Sequence, residues 1–106
     1  MDADGIHGQL DTLILATLLR GEAHGYAIIG ALRERSGERL DLPSGTVYPA
    51  LRRLERAGHV TGKWTQAGGR RRRVYEITDD GRKALEKGRE NWLALRQVMT
   101  AVLDPS

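Results

Sequence analysis

Apolar residues recur at helical spacing in three stretches that precede His59. The stretches are LDTLILATLLRG at 10–21, HGYAIIGALRERSG at 24–37 and TVYPALRRLERAG at 46–58. Each closes on a glycine, the residue most often found just beyond the C-terminus of a helix. The pattern therefore predicts three helices. The third one is expected to face the core with Val47, Ala50, Leu51 and Leu54.

The third predicted helix contains a proline close to its beginning. Pro49 is compatible with a helix that begins near Thr46, because the first N–H groups of a helix have no intrahelical partner. Ser44 or Thr46 is the expected N-cap, since a hydroxyl can accept a hydrogen bond from these N–H groups. This first turn is predicted to expose Ser44, Thr46 and Tyr48.

After the third helix the hydrophobic period shortens to two residues, which is typical of β-strands. HVTGKWT at 59–65 and RVYEIT at 73–78 both alternate apolar with polar side chains. Between them, Gly68 and Gly69 can adopt the positive φ that a tight hairpin turn needs. The pattern predicts a β-hairpin that carries four consecutive arginines, Arg70–Arg73, at its tip and along its returning strand.

The stretch from 78 to 105 predicts one long helix with Thr78 as its N-cap. Apolar residues recur along it at heptad spacing, interrupted by Gly88, and such a seam favours pairing with a second copy of the chain. The alternative is that the helix packs back on its own first helix. The residues expected at a dimer interface are Leu10, Leu13, Leu85, Trp92, Leu95, Met99 and Val102.

Positive charge is concentrated in the segment from Arg52 to Arg73. The whole chain carries +3, with a pI near 9.7. That segment holds eight cationic side chains and one anionic side chain, Glu55, so its net charge is +7 and the remainder of the chain carries −4. This distribution favours a polyanionic partner. A generously solvated basic face is the alternative interpretation.

The sequence shows no arrangement of residues that is typical of catalysis or metal binding. There is no cysteine, and His7, His24 and His59 do not follow a metal-ligand pattern, so we expect no metal and no cofactor. His24 is expected to cap or pack at the start of the second helix. No histidine has a convincing serine or carboxylate partner, and AGGRR lacks the context of a phosphate-binding loop, so an enzyme is not expected.

Membrane insertion and secretion are also not expected. No apolar run approaches the ~20 residues that span a bilayer. The beginning of the chain, MDADGIHGQ, is acidic and polar, unlike a signal peptide. The expected location is the cytoplasm.

The order helix, helix, helix, hairpin, long helix is that of a winged helix-turn-helix followed by a C-terminal dimerisation helix. The predicted fold class is therefore mainly α with a small β-hairpin. We expect a winged helix-turn-helix over 1–78 and a dimerisation helix over 79–106, joined as one continuous structural unit. HGYAI at 24–28, SGTVYPALRRLERAGHV at 44–60 and RRRVYEITDDGRKAL at 71–85 resemble the PadR transcriptional regulators, specifically the short type with a single C-terminal helix.

This resemblance implies a repressor-type homodimer that binds double-stranded DNA. The third helix would enter the major groove, and the hairpin, or wing, would follow the phosphate backbone. Because side chains alternate along a strand, two of the wing arginines are expected on DNA, with another packed over Trp64 or Tyr75. The expected DNA-binding residues are Ser44, Thr46, Tyr48, Pro49, Arg52, Arg53, Lys63, Arg70, Arg71, Arg72 and Arg73.

The resemblance also implies a candidate effector site. In short PadR relatives the dimer interface can open into an apolar pocket, where a tryptophan of the last helix stacks on flat ligands. Trp92 lies on the corresponding helix and on the heptad seam, so it is a candidate ligand-binding residue for a small apolar or aromatic effector. The alternative is that Trp92 serves only as a packing anchor at the interface.

Two other functions stay open at this point. One is a winged-helix protein that binds DNA with little sequence preference through its basic patch. The other is a protein-interaction module that uses the long helix. Salt separates them, because binding through several phosphates weakens steeply as salt rises whereas apolar helix pairing does not.

Overall fold

Four α-helices and a three-stranded antiparallel sheet make up the computed structural model, which describes residue 6 and residues 8–104. The element order confirms the predicted winged helix-turn-helix with a long C-terminal helix. The elements are α1 (Leu10–Leu18), β1 (Ala23–His24), α2 (Gly25–Arg35), α3 (Ser44–Arg56), β2 (Val60–Ala67), β3 (Arg70–Ile77) and α4 (Asp79–Leu103).

The hydrophobic core lies where α1, α2 and α3 meet the base of the hairpin. The four residues of α3 that were predicted to face inward are all buried. They pack with Ile14 and Leu18 of α1, Ile28 of α2 and Val60 of β2. Burial of each such aliphatic side chain contributes roughly 1.5–3 kcal/mol, so a core without phenylalanine can hold these elements together.

The hairpin has the predicted turn. Strands β2 and β3 pair antiparallel from Val60 opposite Ile77 to Ala67 opposite Arg70. Gly68 and Gly69 form the two-residue loop with φ of 59° and 77°, values that side chains rarely tolerate. A third strand, β1, pairs with the outer edge of β3. It escaped prediction because two residues are too few to show alternation.

The beginning of α3 differs from the prediction. The helix begins at Ser44, two residues earlier than expected, and its N-cap is Pro43, with no capping hydrogen bond from a side chain. The N–H groups of Thr46 and Val47 instead donate to the Pro43 carbonyl. Pro49 consequently lies inside the helix, where it lacks the N–H that would donate to the Gly45 carbonyl.

The long helix α4 begins as predicted. The Thr78 hydroxyl accepts a hydrogen bond from the Gly81 N–H at 3.0 Å, and the exposed Asp79 and Asp80 lie in the first turn, where the helix dipole favours anions. At 25 residues the helix is about 37 Å long and accounts for the elongated shape of the molecule, 58 × 28 × 21 Å.

The predicted heptad seam of α4 is divided between two roles. Leu85 is only 2% exposed and belongs to the hydrophobic core of this chain, so its assignment to a dimer interface was wrong. Gly88 faces Thr12 of α1 so closely that a Cβ there would overlap the threonine side chain. The first half of α4 therefore packs against α1, and the exposed apolar side chains begin at Trp92.

Candidate nucleic-acid interface

A tyrosine on α3 sets the distance between the two helices of the helix-turn-helix. The ring of Tyr48 lies directly over Gly25, the first residue of α2, and any Cβ at position 25 would overlap that ring. Gly25 is therefore required by packing rather than by its backbone conformation. This contact holds the beginning of α2 against the first turns of α3.

The Tyr48 hydroxyl stays protonated at neutral pH. Burial raises its pKa above the ordinary value of 10.0, and the neighbouring Tyr26 and Tyr75 add to the rise. Tyr26 meets Tyr48 edge to face, with ring centroids 6.1 Å apart. The side chain of Tyr26 is exposed. The pair therefore places two phenol hydroxyls, which can donate and accept hydrogen bonds, beside the beginning of α3.

The outer face of α3 carries exposed arginines. Arg52 and Arg56 lie one turn apart on the side opposite the buried leucines, and Ser44 is exposed in the first turn. Thr46 and Pro49 are half-buried. Arg53 turns toward α1 instead, where its guanidinium lies 3.0 Å from the Asp11 carboxylate. Arg52 and Arg56 thus form the more available cationic strip of this helix.

Strand alternation divides the wing into two faces. The register places Trp64, Arg71 and Arg73 on the face that continues from the core, and Lys63, Arg70 and Arg72 on the opposite face. We call these the inner and outer faces of the wing. The four consecutive arginines are therefore shared equally between the two faces.

On the inner face, two arginines pack on one tryptophan. The guanidinium carbon of Arg71 lies 4.7 Å from the centre of the Trp64 ring, and that of Arg73 lies 5.4 Å away. The predicted packing of a wing arginine over Trp64 is confirmed. Cation–π contacts of this kind contribute about 0.5–1 kcal/mol at exposed sites and restrict the directions that the arginines take.

Arg73 is also paired with an acid. Its Nη2 lies 2.6 Å from Glu55 Oε2, which joins β3 to the second half of α3. The guanidinium approaches Tyr75 as well. Burial raises the pKa of the Tyr75 phenol, and Arg73 partly offsets that rise. Glu55 was not among the predicted site residues, because a single acid in a basic segment carries no pattern of its own.

On the outer face, cationic side chains contact the edge strand and the turn before it. Arg72 Nη1 lies 3.2 Å from His24 Nε2, and Lys63 Nζ lies 3.2 Å from Glu22 Oε2. His24 caps α2 as predicted, since its Nδ1 accepts a hydrogen bond from the Ala27 N–H. Arg70 is exposed beside the hairpin turn and has no ion pair within the described part of the chain.

Metal ligands do not cluster anywhere in residues 8–104. No group of three or more His, Cys, Asp or Glu side chains could hold an ion there. His7 lies outside the described residues. The described chain instead carries a cationic surface over the outer face of α3 and the wing, with Tyr26 and Tyr48 beside it.

The family model for PadR-like transcriptional regulators matches residues 14–87, which span α1 to the first third of α4. The chain belongs to the PadR-like family. Its fold is similar to that of a transcriptional regulator from Clostridium thermocellum, with a TM-score of 0.87 and 31% identity over 95% of this chain and 96% of that one.

Two further relatives are also transcriptional regulators. Regulator Rv3488 of Mycobacterium tuberculosis is 39% identical over 77% of this chain and 71% of its own length. The Bacillus subtilis negative transcriptional regulator PadR is 31% identical over 79% of this chain. A crystal structure of that protein in complex with operator DNA has a TM-score of 0.67 and 30% identity, and covers 79% of this chain. This chain spans only 44% of the length of Bacillus subtilis PadR.

Membership in the PadR-like family makes this protein a transcriptional regulator rather than an enzyme. Within the described part of the chain, none of the helices is both long and apolar enough to cross a bilayer. The sequence pattern did not single out Tyr26 or Glu55, which the structure places beside the predicted residues Tyr48 and Arg73.

Proposed function

We propose that this protein is a sequence-specific DNA-binding repressor that acts as a homodimer on a palindromic operator. The observation that carries the proposal is the cationic surface formed by exposed Arg52 and Arg56 on α3 and exposed Arg70 and Arg71 on the wing. Such a surface suits the phosphate backbone of duplex DNA. The operator complex of Bacillus subtilis PadR supports DNA as the partner, and the description of that protein as a negative regulator supports repression.

In this proposal α3 enters the major groove with its N-terminal turns closest to the base pairs. Ser44, Thr46 and Tyr48 can donate or accept hydrogen bonds at base edges, and Arg52 can bind a guanine. The free N–H groups at the beginning of the helix favour a phosphate. The wing then contacts the backbone or the adjacent minor groove. Arg53 and Lys63 contribute less, because Asp11 and Glu22 already engage them.

The exposed half of α4 supports homodimerisation. From Trp92 to Leu103 the helix is apolar around most of its circumference, and its polar side chains lie on a narrow strip. The exposed large apolar residues are Trp92, Leu93, Leu95, Val98, Met99, Val102 and Leu103. A contiguous apolar surface of this kind is typical of an interface. Leu10 and Leu13 of α1 are half-buried and can extend it. A two-fold dimer would present two α3 helices to half-sites about 34 Å apart.

A groove between α1 and α4 supports an effector site at the same interface. It has a volume of about 430 Å³, and Leu13, Ala16, Leu85, Trp92 and Leu93 give it an apolar lining. Arg89 lies at its edge. A flat apolar or aromatic ligand stacked on Trp92 would alter how the two copies of α4 pack. Because the spacing of the two α3 helices depends on that packing, a shift of a few ångströms would release DNA.

Selection of duplexes from a random DNA library by the purified protein tests the proposal. We expect enrichment of an inverted repeat whose half-sites are about one helical turn apart, bound with Kd ~10⁻⁸ M or tighter at physiological salt. Bound DNA without a shared sequence would replace the proposal by a non-specific winged-helix binder. If no DNA were retained even at low salt, a protein-interaction module would be the better explanation.

Removal of the Tyr48 ring is expected to reduce sequence specificity. Tyr48→Ala should weaken operator binding roughly tenfold or more, consistent with ~1–3 kcal/mol for a specific base contact, and weaken non-operator binding less. Tyr48→Phe keeps the packing over Gly25 and removes only the hydroxyl. Fluorescence anisotropy with both duplexes provides the measurement. An equal loss of affinity for both duplexes would reduce Tyr48 to a packing residue.

A further inference from the structure

Arg73 is held differently from the other three wing arginines. Arg70, Arg71 and Arg72 are exposed, whereas Arg73 is half-buried. The side chains of Arg73 and its partner Glu55 are only 28% and 33% exposed. Their 2.6 Å contact is short even for a hydrogen bond between two charged groups, the stronger class of hydrogen bond in proteins. The pair is thus less exposed than Arg53–Asp11, with side chains 55% and 45% exposed, and Lys63–Glu22, with side chains 61% and 47% exposed.

The guanidinium of Arg73 points away from the tip of the wing. A Cβ at Gly62 would lie 2.8 Å from Arg73 Nε and 2.9 Å from Nη2, so the guanidinium covers the β2 backbone at that glycine. Gly62 pairs with Tyr75, two residues closer to the base of the hairpin than Arg73. The side chain therefore extends back toward α3, where Glu55 receives it.

Three elements restrain this one cation. Glu55 binds it from α3, Trp64 and the Gly62 backbone contact it from β2, and Tyr75 lies beside it on β3. Glu55 is also the sole acid between Arg52 and Arg73. A carboxylate within the proposed DNA-binding surface repels the phosphate backbone. Its ion pair with Arg73 gives Glu55 a role that explains its presence there.

We propose that Glu55 is a specificity-determining residue that holds Arg73 away from DNA phosphates and so limits the sequence-independent affinity of the wing. The inference rests on the proposed DNA-binding function. Each additional phosphate that is neutralised raises affinity for any duplex alike, and it steepens the salt dependence by about 0.9 in the slope of log K against log salt. A wing with all four arginines released would strengthen non-operator binding more than it strengthens recognition of the operator.

The test compares Glu55→Gln, Arg73→Ala and the double variant on a non-operator duplex over a range of salt concentrations. Glu55→Gln is expected to release Arg73. For each further phosphate that the freed guanidinium neutralises, the slope should steepen by about 0.9 and binding should tighten roughly tenfold at ~0.1 M salt. The sequence pattern placed Arg73 among the DNA-binding residues, but its pairing with Glu55 argues against a phosphate contact. Arg73→Ala alone should therefore leave the slope at the wild-type value. The double variant should return to that value, because the tighter binding requires the released arginine.

Glu76→Gln provides the matched control. Glu76 is exposed on the outer face of β3, and it forms no ion pair within the described residues. The substitution removes the same charge from the same hairpin without releasing an arginine or a lysine. We expect a smaller rise in affinity than with Glu55→Gln, and little change in slope. Equal slopes for the two variants would show a general charge effect and overturn the proposal.

Arg73→Ala provides a second criterion that does not depend on the folding of Glu55→Gln. If the slope of log K against log salt became shallower by about 0.9 or more in this single variant, Arg73 would contact a phosphate directly. That result would contradict the proposal. Failure of the proposed repressor function can be distinguished from failure of the Glu55 proposal. If the wild type shows no preferred operator, the proposed repressor function fails, and the slopes still report whether Glu55 restrains Arg73. If an operator is found but the slopes disagree, only the Glu55 proposal fails.

Discussion

Leu95→Asp is expected to convert the protein into a monomer and to weaken operator binding by a factor on the order of 10²–10⁴. Leu95 lies at the middle of the exposed apolar half of α4. An unpaired carboxylate in that surface would have to be desolvated on dimerisation, at a cost of several kcal/mol. A monomer binds one half-site and loses the avidity that a linked second half-site supplies.

The substitution should leave the protomer folded, because Leu95 is exposed there and makes no contribution to the core. Sedimentation velocity then measures the mass, and circular dichroism measures the helix content. Gln97→Asp is the matched control, since it adds the same charge about 200° around the same helix, on its polar strip. A Leu95→Asp variant that stays dimeric would remove α4 from the interface.

The combined substitution of Arg70, Arg71 and Arg72 by alanine is expected to weaken binding to operator and non-operator DNA alike. These three are the exposed arginines of the wing, whereas Arg73 is half-buried. The slope of log K against log salt should become shallower by about 0.9 for each phosphate that the wing no longer neutralises. The phosphates are counted over both copies of the proposed dimer. Affinity should fall on the order of tenfold per phosphate at ~0.1 M salt. Protein stability should change little, because exposed side chains seldom contribute much.

The matched control for the wing removes three cationic charges elsewhere. Arg33 and Arg35 lie in the last turn of α2, and Lys87 lies on α4. Replacing them by alanine gives the same net charge outside the proposed surface. If the control variant bound DNA as weakly as the wing variant, the total charge rather than the wing would explain binding. An unchanged salt slope in the wing variant would contradict the proposed role of the wing.

The elements were predictable because their signals are local. The buried face of α3 follows from apolar residues three and four positions apart, and the hairpin follows from alternation on both sides of Gly68 and Gly69. Caps at Thr78 and His24 lie within three residues of the N–H groups they accept from. In such cases a side chain and its partner are neighbours in the chain, so the pattern is visible without a fold.

The details of the candidate site were not predictable in this way. Tyr48 and Gly25 contact each other across two helices, and only that contact explains the glycine. The heptad spacing of α4 runs from Leu85 to Val102 with one interruption at Gly88. The contact of Gly88 with Thr12 and the burial of Leu85 nevertheless assign its first part to the core of the chain itself. A periodic pattern indicates which side of a helix is apolar. It does not indicate which neighbour covers that side.

The sequence by itself determined the order of the elements, the family resemblance, and the concentration of positive charge on α3 and the wing. Only the tertiary structure decided which of those charges are available to a partner. Arg73 meets Glu55 across 18 residues and Arg53 meets Asp11 across 42, and no local pattern encodes such pairs. The physical reason is that secondary structure depends on neighbours along the chain, whereas ion pairing depends on distances that exist only after the helices and the hairpin have packed.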